Sequence, residues 1–411
     1  MGKWALRKRH CAVVLRHRVL SFLSFLRLKN ILKKNLERSE PVFIEDVEIF
    51  QGYKSILVFP NIHWGYRWQR PQQIFSRLGK KNYNIFYLSP IPSSTEYLKE
   101  VSKNVFEVHI KSPEIVNVLR TLELDEELAK DFYTSINNLV GEYLNKESLV
   151  FVLHPVWKKV VDMFKGKKIV YDMMDLYSGF KEAKPELVGA EEELVKKSEF
   201  VITTADNLYK YAKKLNDNVI MIRNGCDLER FTDIKENGEL DCLKDKPIIG
   251  YFGAISDWFD VDAMEYAVRN NQDKYFILIG NIDTKKVRKL FRFKNVFFLG
   301  EIKHDELGGY LAYFNVCTIP FVLNNLIKST NPVKFYEYVA TGKPVVASRF
   351  PELEKYADIC YLYDSKEDFS KDIYKALYDD SKDMVEKRKI VAKENSWEER
   401  VESLEREIKK I

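Results

Sequence analysis

The sequence predicts an α/β protein built from two doubly wound, Rossmann-like domains. Short apolar runs rich in β-branched and aromatic residues recur along the chain, helical lengths separate them, and one polar stretch divides them into two series. The runs are nearly continuous rather than alternating, which is typical of parallel strands that helices bury on both faces. Ligands of such sheets bind at the carboxyl ends of the strands, so two facing domains are expected to form a cleft.

The two series give the expected domain boundaries. The first predicts strands at 55–60, 85–90, 105–110, 149–155, 168–175, 200–206 and 219–225, and the second at 247–253, 275–280, 296–300, 316–321, 344–348 and 359–364. We therefore expect an N-terminal domain over 41–231, a polar linker over 232–246, a C-terminal domain over 247–390 and a final crossover helix over 391–411.

Basic charge is concentrated at the N-terminus. The 411-residue chain has a net charge of +5, which is too small to indicate a nucleic-acid partner. Residues 1–38 hold eleven Lys or Arg against one acidic residue, Glu37. Residues 1–40 thus form a basic amphipathic segment suited to an anionic membrane surface, and a helix packed on the domain or a frayed tail are the alternatives.

Cysteine usage and one acidic motif bear on metals and location. The five cysteines are dispersed and contain no C-x-x-C, which argues against a zinc site and favours a reducing, cytoplasmic compartment. The run Asp260-Val-Asp262 resembles a metal-binding D-x-D, but Asp260 stands where a helix is expected to begin, and capping explains it. We expect no metal and no cofactor. A peripheral position at the inner face of the plasma membrane is an open alternative to a free cytoplasmic one.

The strongest motif is STNPVKFYEYVATGKPVVAS, over 329–348. Thr330 or Asn331 can cap a helix that has Pro332 at its first position. Lys334 and Glu337 are three residues apart and share one face, which by itself is also ordinary for a surface helix. The positive helix N-terminus is a natural seat for a diphosphate, Lys334 can pair with phosphate, and Glu337 can accept hydrogen bonds from a ribose diol.

This string resembles the donor-site signature of GT-B glycosyltransferases of the GT4-like group, and the resemblance extends over about residues 50–405. In that group a Glu before A-x-G-x-P-V-V binds the nucleotide ribose, and here that residue is Glu337. A second Glu often stands eight residues earlier, where this chain has Ser329. The string WGYRWQRPQ, over 64–72, resembles a narrower subgroup associated with teichuronic acid and other cell-surface polysaccharides of the cell envelope.

The resemblance implies a retaining, metal-independent transfer from a nucleotide sugar held by the C-terminal domain. The donor-binding residues it implies are Gly253, Ala254, Gly280, Asn331, Pro332, Lys334 and Glu337, with Arg223 assisting. The usual R-x4-K-G is missing after Gly253, which leaves Lys334 and the helix N-terminus to hold the diphosphate.

Polar and aromatic residues at the strand ends of the N-terminal domain are expected to face the acceptor, a glycan or a lipid-linked glycan. These are Trp64, Arg67, Arg70, His154, Asp172 and Asp175. Of these, Asp175 is the preferred group to orient an acceptor hydroxyl or to take its proton. With Lys334 and Glu337, it completes the expected catalytic set.

Glycosyl transfer is therefore the leading hypothesis. A nucleotide-sugar epimerase of the same fold and a non-catalytic binding subunit stay open, the latter because the first Glu is absent. The absence of G-x-G-x-x-G argues against a dehydrogenase.

Overall fold

A computed structural model describes residues 48–91, 93–111, 124–179 and 184–411. The basic segment over 1–40 lies outside the described residues. The chain forms two compact units. The N-terminal unit comprises the described residues up to Asn224, together with Ser329–Asn331 and Trp397–Ile411, and the C-terminal unit comprises Gly225–Lys328 and Pro332–Ser396.

The N-terminal unit contains an eight-stranded sheet in the order β3-β4-β2-β1-β5-β6-β7-β8. All neighbouring strands are parallel except β3 and β4. The strands are β1 Lys54–Phe59, β2 Tyr83–Leu88, β3 Tyr97–Ser102, β4 Val105–His109, β5 Leu149–Val152, β6 Lys168–Met173, β7 Phe200–Thr203 and β8 Val219–Met221. The helices up to β8 are α1 Arg70–Lys80, α2 Glu126–Val140, α3 Lys158–Val161, α4 Pro185–Lys197 and α5 Asp206–Ala212, with 3-10 helices at Gly141–Tyr143, Pro155–Trp157 and Tyr177–Gly179.

The C-terminal unit contains a six-stranded, wholly parallel sheet in the order β11-β10-β9-β12-β13-β14. The strands are β9 Ile248–Phe252, β10 Tyr275–Ile279, β11 Val296–Gly300, β12 Val316–Ile319, β13 Val345–Ser348 and β14 Tyr361–Tyr363. The helices are α6 Leu228–Phe231, α7 Val261–Asn270, α8 Leu307–Leu311, α9 Asn325–Lys328, α10 Val333–Ala340, α11 Pro351–Glu354, α12 Lys366–Tyr378 and α13 Lys382–Glu394. Two 3-10 helices, Asp241–Leu243 and Lys285–Arg292, complete the unit, and α14 Trp397–Ile408 follows in the N-terminal unit.

The predicted fold class is confirmed. Each predicted apolar run contains a strand, and β1, β2, β5 and β9 are buried along almost their whole length. Strands buried on both faces carry apolar side chains at most positions on both sides, which is why the runs do not alternate. Each unit has its own hydrophobic core.

One strand escaped the sequence analysis. β3 has the sequence YLKEVS, and its central Lys99 and Glu100 are exposed. It is the antiparallel edge of the sheet, where one side faces solvent and charged side chains are tolerated. An edge strand of this kind lacks the continuous apolar run that marks the others.

The expected linker differs from the observed packing. Residues 232–246 contain no strand, as expected, but the C-terminal unit begins already at Gly225. Leu240 and Leu243 are fully buried in the core of that unit, so apolar burial fixes the segment to it. At the other end, the expected crossover helix divides near Ser396: α13 packs in the C-terminal unit and α14 packs on α1 of the N-terminal unit.

The long uncharged stretch over 307–327 breaks into α8, β12 and the first residues of α9. None of the helices in the described ranges has the length and hydrophobicity needed to span a bilayer.

Candidate functional site

The signature helix α10 begins one residue later than expected. Pro332 is its N-cap, with extended backbone. The capping position is therefore occupied by Pro332 and not, as predicted, by Thr330 or Asn331. The Asn331 side-chain oxygen instead accepts the backbone N–H of Asn224 at 2.9 Å, which engages it in the N-terminal unit.

Lys334 lies in the first turn of α10 and is half-buried. Its ammonium group stands 4.7 Å from the ring centre of Phe321 and 5.3 Å from that of Tyr251, which are cation–π distances. Burial lowers the pKa of Lys334 to about 8, although the nearby Glu337 acts in the opposite direction. Within the described part of the chain, the ammonium group forms neither a hydrogen bond nor an ion pair. It is a desolvated cation available to an anion.

Two glycines allow the strand ends of this unit to come close to Lys334. Gly253 follows β9 with φ +130°, and a Cβ there would lie 2.8 Å from Cε of Lys334. Gly280 follows β10 with φ +141°, and a Cβ there would lie 2.0 Å from the Gly253 carbonyl oxygen. Any larger residue would collide with backbone or with the lysine. The carbonyl of Ala254 accepts the Tyr251 hydroxyl at 2.8 Å.

Glu337 is buried, with 4% of its surface exposed. Its Oε1 lies 2.8 Å from Nε2 of His304, a residue that the sequence analysis did not single out. The His304 ring packs edge-on against Phe231, with centroids 5.4 Å apart, and its buried Nδ1 has no hydrogen-bond partner in the described part of the chain. His304 therefore fixes the direction of the Glu337 carboxylate.

In the N-terminal unit, Arg70 and Asp172 form a buried bidentate ion pair. Nε of Arg70 donates to Oδ2 of Asp172 at 2.9 Å, and Nη2 donates to Oδ1 at 3.0 Å. Both residues are at least 97% buried. Nη1 also donates to Oδ1 of Asn224 and to the carbonyl of Arg223, each at 3.3 Å. Both residues were expected to face the acceptor, but they neutralise each other.

This network continues to the segment before α10. The side-chain amide of Asn224 donates to the Asn331 carbonyl at 2.6 Å, while its side-chain oxygen accepts from Arg70. Arg223, which was expected to assist at the diphosphate, forms an ion pair with Asp206. The structure thus groups Arg223 and Asn331 with Arg70 in the N-terminal unit, and Pro332, Lys334 and Glu337 with the C-terminal unit.

The aromatic loop after β1 is largely packed. Trp64 is buried edge-on against Tyr87 and Trp68, at centroid distances of 5.1 and 5.9 Å. Arg67 lies over the exposed ring of Tyr66, 4.6 Å from its centre. Of the predicted acceptor-side residues in this loop, Arg67 is the one with a partly exposed side chain.

His154 and Asp175 follow the ends of β5 and β6. Nδ1 of His154 accepts the backbone N–H of Val156 at 3.1 Å, and burial lowers its pKa to about 3, so the ring is neutral with its proton on Nε2. Burial raises the pKa of Asp175 to about 6. The Asp175 carboxylate makes no hydrogen bond to the part of the chain that the structure describes. A carboxylate of this kind suits a general base near neutral pH.

A second buried carboxylate, Glu191 on α4, was not expected. Burial raises its pKa to about 8, although a hydrogen bond of 3.3 Å from the Tyr171 hydroxyl to Oε1 opposes the shift. Oε2 of Glu191 has no hydrogen-bond partner within the described ranges, and the charge of Asp175 raises the pKa of Glu191 further. The sequence alone could have indicated this burial. Glu191 shares the apolar face of the helix with Leu187 and Leu194, where a charged residue is unusual.

A third polar group, also missed, joins the loop after β1 to β4. Glu107 lies 3.0 Å from Nε2 of His63 and 3.1 Å from Nε2 of His109. Burial raises the pKa of Glu107, but hydrogen bonds from the two histidines outweigh it and lower the pKa to about 2. The ring of Tyr97 stacks on His109 at 4.3 Å. These contacts connect the loop after β1 to β4.

Asp260 caps α7, because its Oδ1 accepts the N–H of Ala263 at 2.8 Å, as the capping interpretation predicted. Asp262 pairs with Lys289 at 2.8 Å. The two carboxylates of the D-x-D run thus have separate structural partners.

Comparison with known proteins agrees with this arrangement. Residues 246–379 match the model of the family "Glycosyl transferases group 1". Over 219 residues the chain is 22% identical to TuaH of Bacillus subtilis (strain 168), which is named for a glycosyltransferase role in teichuronic acid biosynthesis. That match takes in 49% of this chain and 55% of TuaH, so the chain spans about half the length of the curated relative it matches.

Solved structures show the fold. Sucrose-phosphate synthase from Thermosynechococcus elongatus superposes with a TM-score of 0.73 at 14% identity, over 87% of this chain and 98% of its own. Anabaena HepE, in complex with UDP and glucose, superposes with a TM-score of 0.60 at 11% identity, over 87% of this chain and all of its own. The fold is GT-B, and the resemblance found in the sequence is confirmed.

Proposed function

We propose that the chain transfers a sugar from a nucleotide-sugar donor to a glycan or lipid-linked acceptor, because residues 246–379 match the model of the family "Glycosyl transferases group 1" and the fold is GT-B. HepE, which has the same fold, is in complex with UDP and glucose. TuaH is named as a glycosyltransferase of teichuronic acid biosynthesis. The HepE complex supports a nucleotide sugar as the donor. The name of TuaH supports a cell-envelope polysaccharide as the class of product.

The observation that carries the proposal is the unpaired ammonium group of Lys334 beside the N-terminus of α10. A desolvated cation is costly unless an anion completes it, and the helix N-terminus adds free N–H groups and positive potential at the same place. Gly253 leaves room for a diphosphate to approach. In this proposal Lys334 neutralises the charge that develops on the departing nucleotide diphosphate.

Glu337 would bind the nucleotide ribose. Its carboxylate is buried, and His304 directs it, so it can accept two hydroxyl hydrogen bonds without first giving up a full shell of water. Ala254 and Gly280 would border the donor through their backbone, and Pro332 would set the direction of the helix end.

The acceptor would enter from the N-terminal unit. Asp175 is proposed to orient the attacking hydroxyl or to take its proton, and the neutral His154 to donate a hydrogen bond from Nε2. Arg67 and Trp64 would border this region. Arg70 and Asp172 would act by positioning the strand ends, since they pair with each other.

Finer features of the proposal come from the resemblance to the GT4-like group. They are retention of anomeric configuration and catalysis without a metal or cofactor. The basic segment over 1–40 would hold the protein at an anionic membrane, which would place it in the cytoplasm at the inner face of the plasma membrane.

A ligand screen followed by a transfer assay tests the proposal. A thermal-shift screen of nucleotides and nucleotide sugars, with UDP and UDP-glucose included, identifies the donor, because a ligand of the folded state raises the apparent melting temperature. Glu337→Ala should remove the nucleotide shift. The exposed Glu354→Gln, on α11 of the same unit, is the matched control and should keep it.

Three results would contradict the proposal. Equal shifts for Glu337→Ala and wild type would remove this residue from the site. Formation of an epimeric nucleotide sugar without acceptor would indicate the epimerase alternative. Tight donor binding with neither transfer nor hydrolysis would indicate a binding subunit, the alternative that Ser329 in place of the first Glu keeps open.

A further inference from the structure

A strongly basic stretch connects β10 to β11 in the C-terminal unit, outside the candidate site. Residues 285–294, KKVRKLFRFK, contain six basic residues and no acidic one. The first eight form the 3-10 helix Lys285–Arg292, which packs beside α7. We call residues 285–294 the basic surface.

The helix separates its apolar and charged residues. Val287 and Leu290 are buried in the core of the unit, while the basic side chains face solvent. The exposed basic residues are Lys285, Lys286, Arg288, Lys289, Arg292 and Lys294. The buried side chains of Val287 and Leu290 therefore attach the basic surface to the core of the unit.

Only part of this charge is neutralised by the protein. Lys289 pairs with Asp262 at 2.8 Å, and Arg292 pairs with Glu265, both on α7. Among the described residues, the other four basic side chains have no ion pair. They are Lys285, Lys286, Arg288 and Lys294. An unneutralised cluster of this kind attracts an anionic partner.

A large, exposed apolar side chain lies among these basic residues. Phe291 is 46% exposed, and the edge of its ring rests on the buried Phe298, with centroids 5.0 Å apart. The neighbouring Phe293 is covered by the guanidinium groups of Arg269 and Arg292, at 5.5 and 5.1 Å from its ring centre. The surface thus offers one exposed ring surrounded by cations.

The combination of one exposed ring with several cations distinguishes between two common anionic partners, single-stranded nucleic acid and a membrane. Single-stranded nucleic acid is bound by several rings on which successive bases stack. A membrane interface needs only an apolar side chain that enters the headgroup boundary and Lys or Arg residues around it. One exposed phenylalanine among unpaired cations fits the membrane.

We propose that the basic surface docks on an anionic lipid bilayer, with Phe291 entering the headgroup region and Lys285, Lys286, Arg288 and Lys294 facing the lipid charges. This binding site is separate from the segment over 1–40 and does not depend on the proposed catalytic activity. Each basic residue near an anionic leaflet raises partitioning about fivefold, so these four strengthen a weak attachment elsewhere in the chain.

Co-sedimentation of the full chain with vesicles tests the proposal. The vesicles are 70% phosphatidylcholine with 30% phosphatidylglycerol, and pure phosphatidylcholine for comparison, at about 0.1 M salt. The variant K285Q/K286Q/R288Q should lower the partition coefficient on anionic vesicles at least about tenfold. Phe291→Ser should lower it several-fold, and low salt should not restore that loss, because the lost contact is apolar.

Matched controls use exposed residues of α12 and α13 in the same unit. K371Q/K382Q/K387Q changes the net charge by the same amount, and Tyr374→Ser removes an aromatic ring that is 58% exposed. Both should bind like wild type. Far-UV circular dichroism and melting temperature verify that each variant is folded.

Several outcomes would overturn the proposal. These are wild-type chain that does not bind anionic vesicles, a basic-surface variant within twofold of wild type, or equal losses in the basic-surface and control variants. A variant that loses affinity for a single-stranded oligonucleotide but keeps vesicle binding would assign the surface to nucleic acid instead.

Discussion

The polar residues at the strand ends of the two units differ in how far the protein itself satisfies them. In the N-terminal unit, Asp172 neutralises Arg70, and the Glu107 carboxylate lies 3.0 and 3.1 Å from ring nitrogens of His63 and His109. In the C-terminal unit, Lys334 lies over two aromatic rings and has no anionic partner among the described residues. A charge that the fold already pairs maintains structure, whereas a buried charge that it leaves unpaired is ready for a ligand.

The largest expected effect is on the free energy of unfolding, when the buried ion pair of Arg70 and Asp172 is broken. Arg70→Met should lower the free energy of unfolding by about 3–5 kcal/mol, because it leaves the Asp172 carboxylate buried without its cation. Urea denaturation measures the loss. Lys196→Met on α4 is the control, since Lys196 forms a long, exposed ion pair with Glu192, and about 1 kcal/mol or less is expected there. Equal losses in the two variants would show that the Arg70 pair is not structural.

Replacing the unpaired Lys334 should have the reverse effect, with UDP binding weakened and stability retained. Lys334→Met should leave the free energy of unfolding unchanged or higher, since it removes a desolvated charge, and should weaken UDP binding roughly 10- to 100-fold through loss of one charge-assisted hydrogen bond. The exposed Lys382→Gln should change neither quantity. A Lys334→Met variant that loses stability but retains UDP affinity would reverse the assignment.

The pH dependence of UDP binding sharpens this test. Lys334 carries its charge below its pKa of about 8, so affinity should be full at pH 7 and should fall as the pH rises above 8. Binding at pH 8.5 should take up a proton, which calorimetry in buffers of different ionisation enthalpy detects. Lys334→Met should lose this proton uptake.

A smaller effect is expected at His304. His304→Phe keeps a ring against Phe231 but removes the hydrogen bond to Glu337, so UDP affinity should fall about tenfold. Affinity for inorganic pyrophosphate should not change, because only the ribose contact is disturbed. His304→Gln retains a donor and should recover part of the loss. An equal loss for pyrophosphate would mean that the helix end itself had moved.

The smallest effect concerns Glu191. Its folded pKa of about 8 exceeds its unfolded value, so the folded state binds more protons than the unfolded state between about pH 5 and 8. Stability should therefore decrease as the pH rises through this window, by at most about 1.4 kcal/mol per pH unit. Glu191→Gln should flatten the dependence of the melting temperature on pH. An unchanged slope would indicate that Glu191 is ionised throughout.

Residues whose role follows from their neighbours in sequence were predictable. Pro332, Lys334 and Glu337 lie within one helix, and their spacing on its first turns is local. His304 is 33 residues away from Glu337, and Arg70 is 102 residues away from Asp172. Partners so distant in sequence meet only when the sheet has assembled. The same reason explains the wrong cap at Asn331, whose oxygen is held by Asn224.

The sequence by itself determined the parallel strands of the two sheets, the place of α10 and the donor-site signature, because continuous apolar runs and a helix-starting Pro act over a few residues. Only the tertiary structure decided which charges are neutralised. Ion pairing depends on distances of a few ångströms between remote segments, and burial decides how strongly each unpaired charge needs a partner.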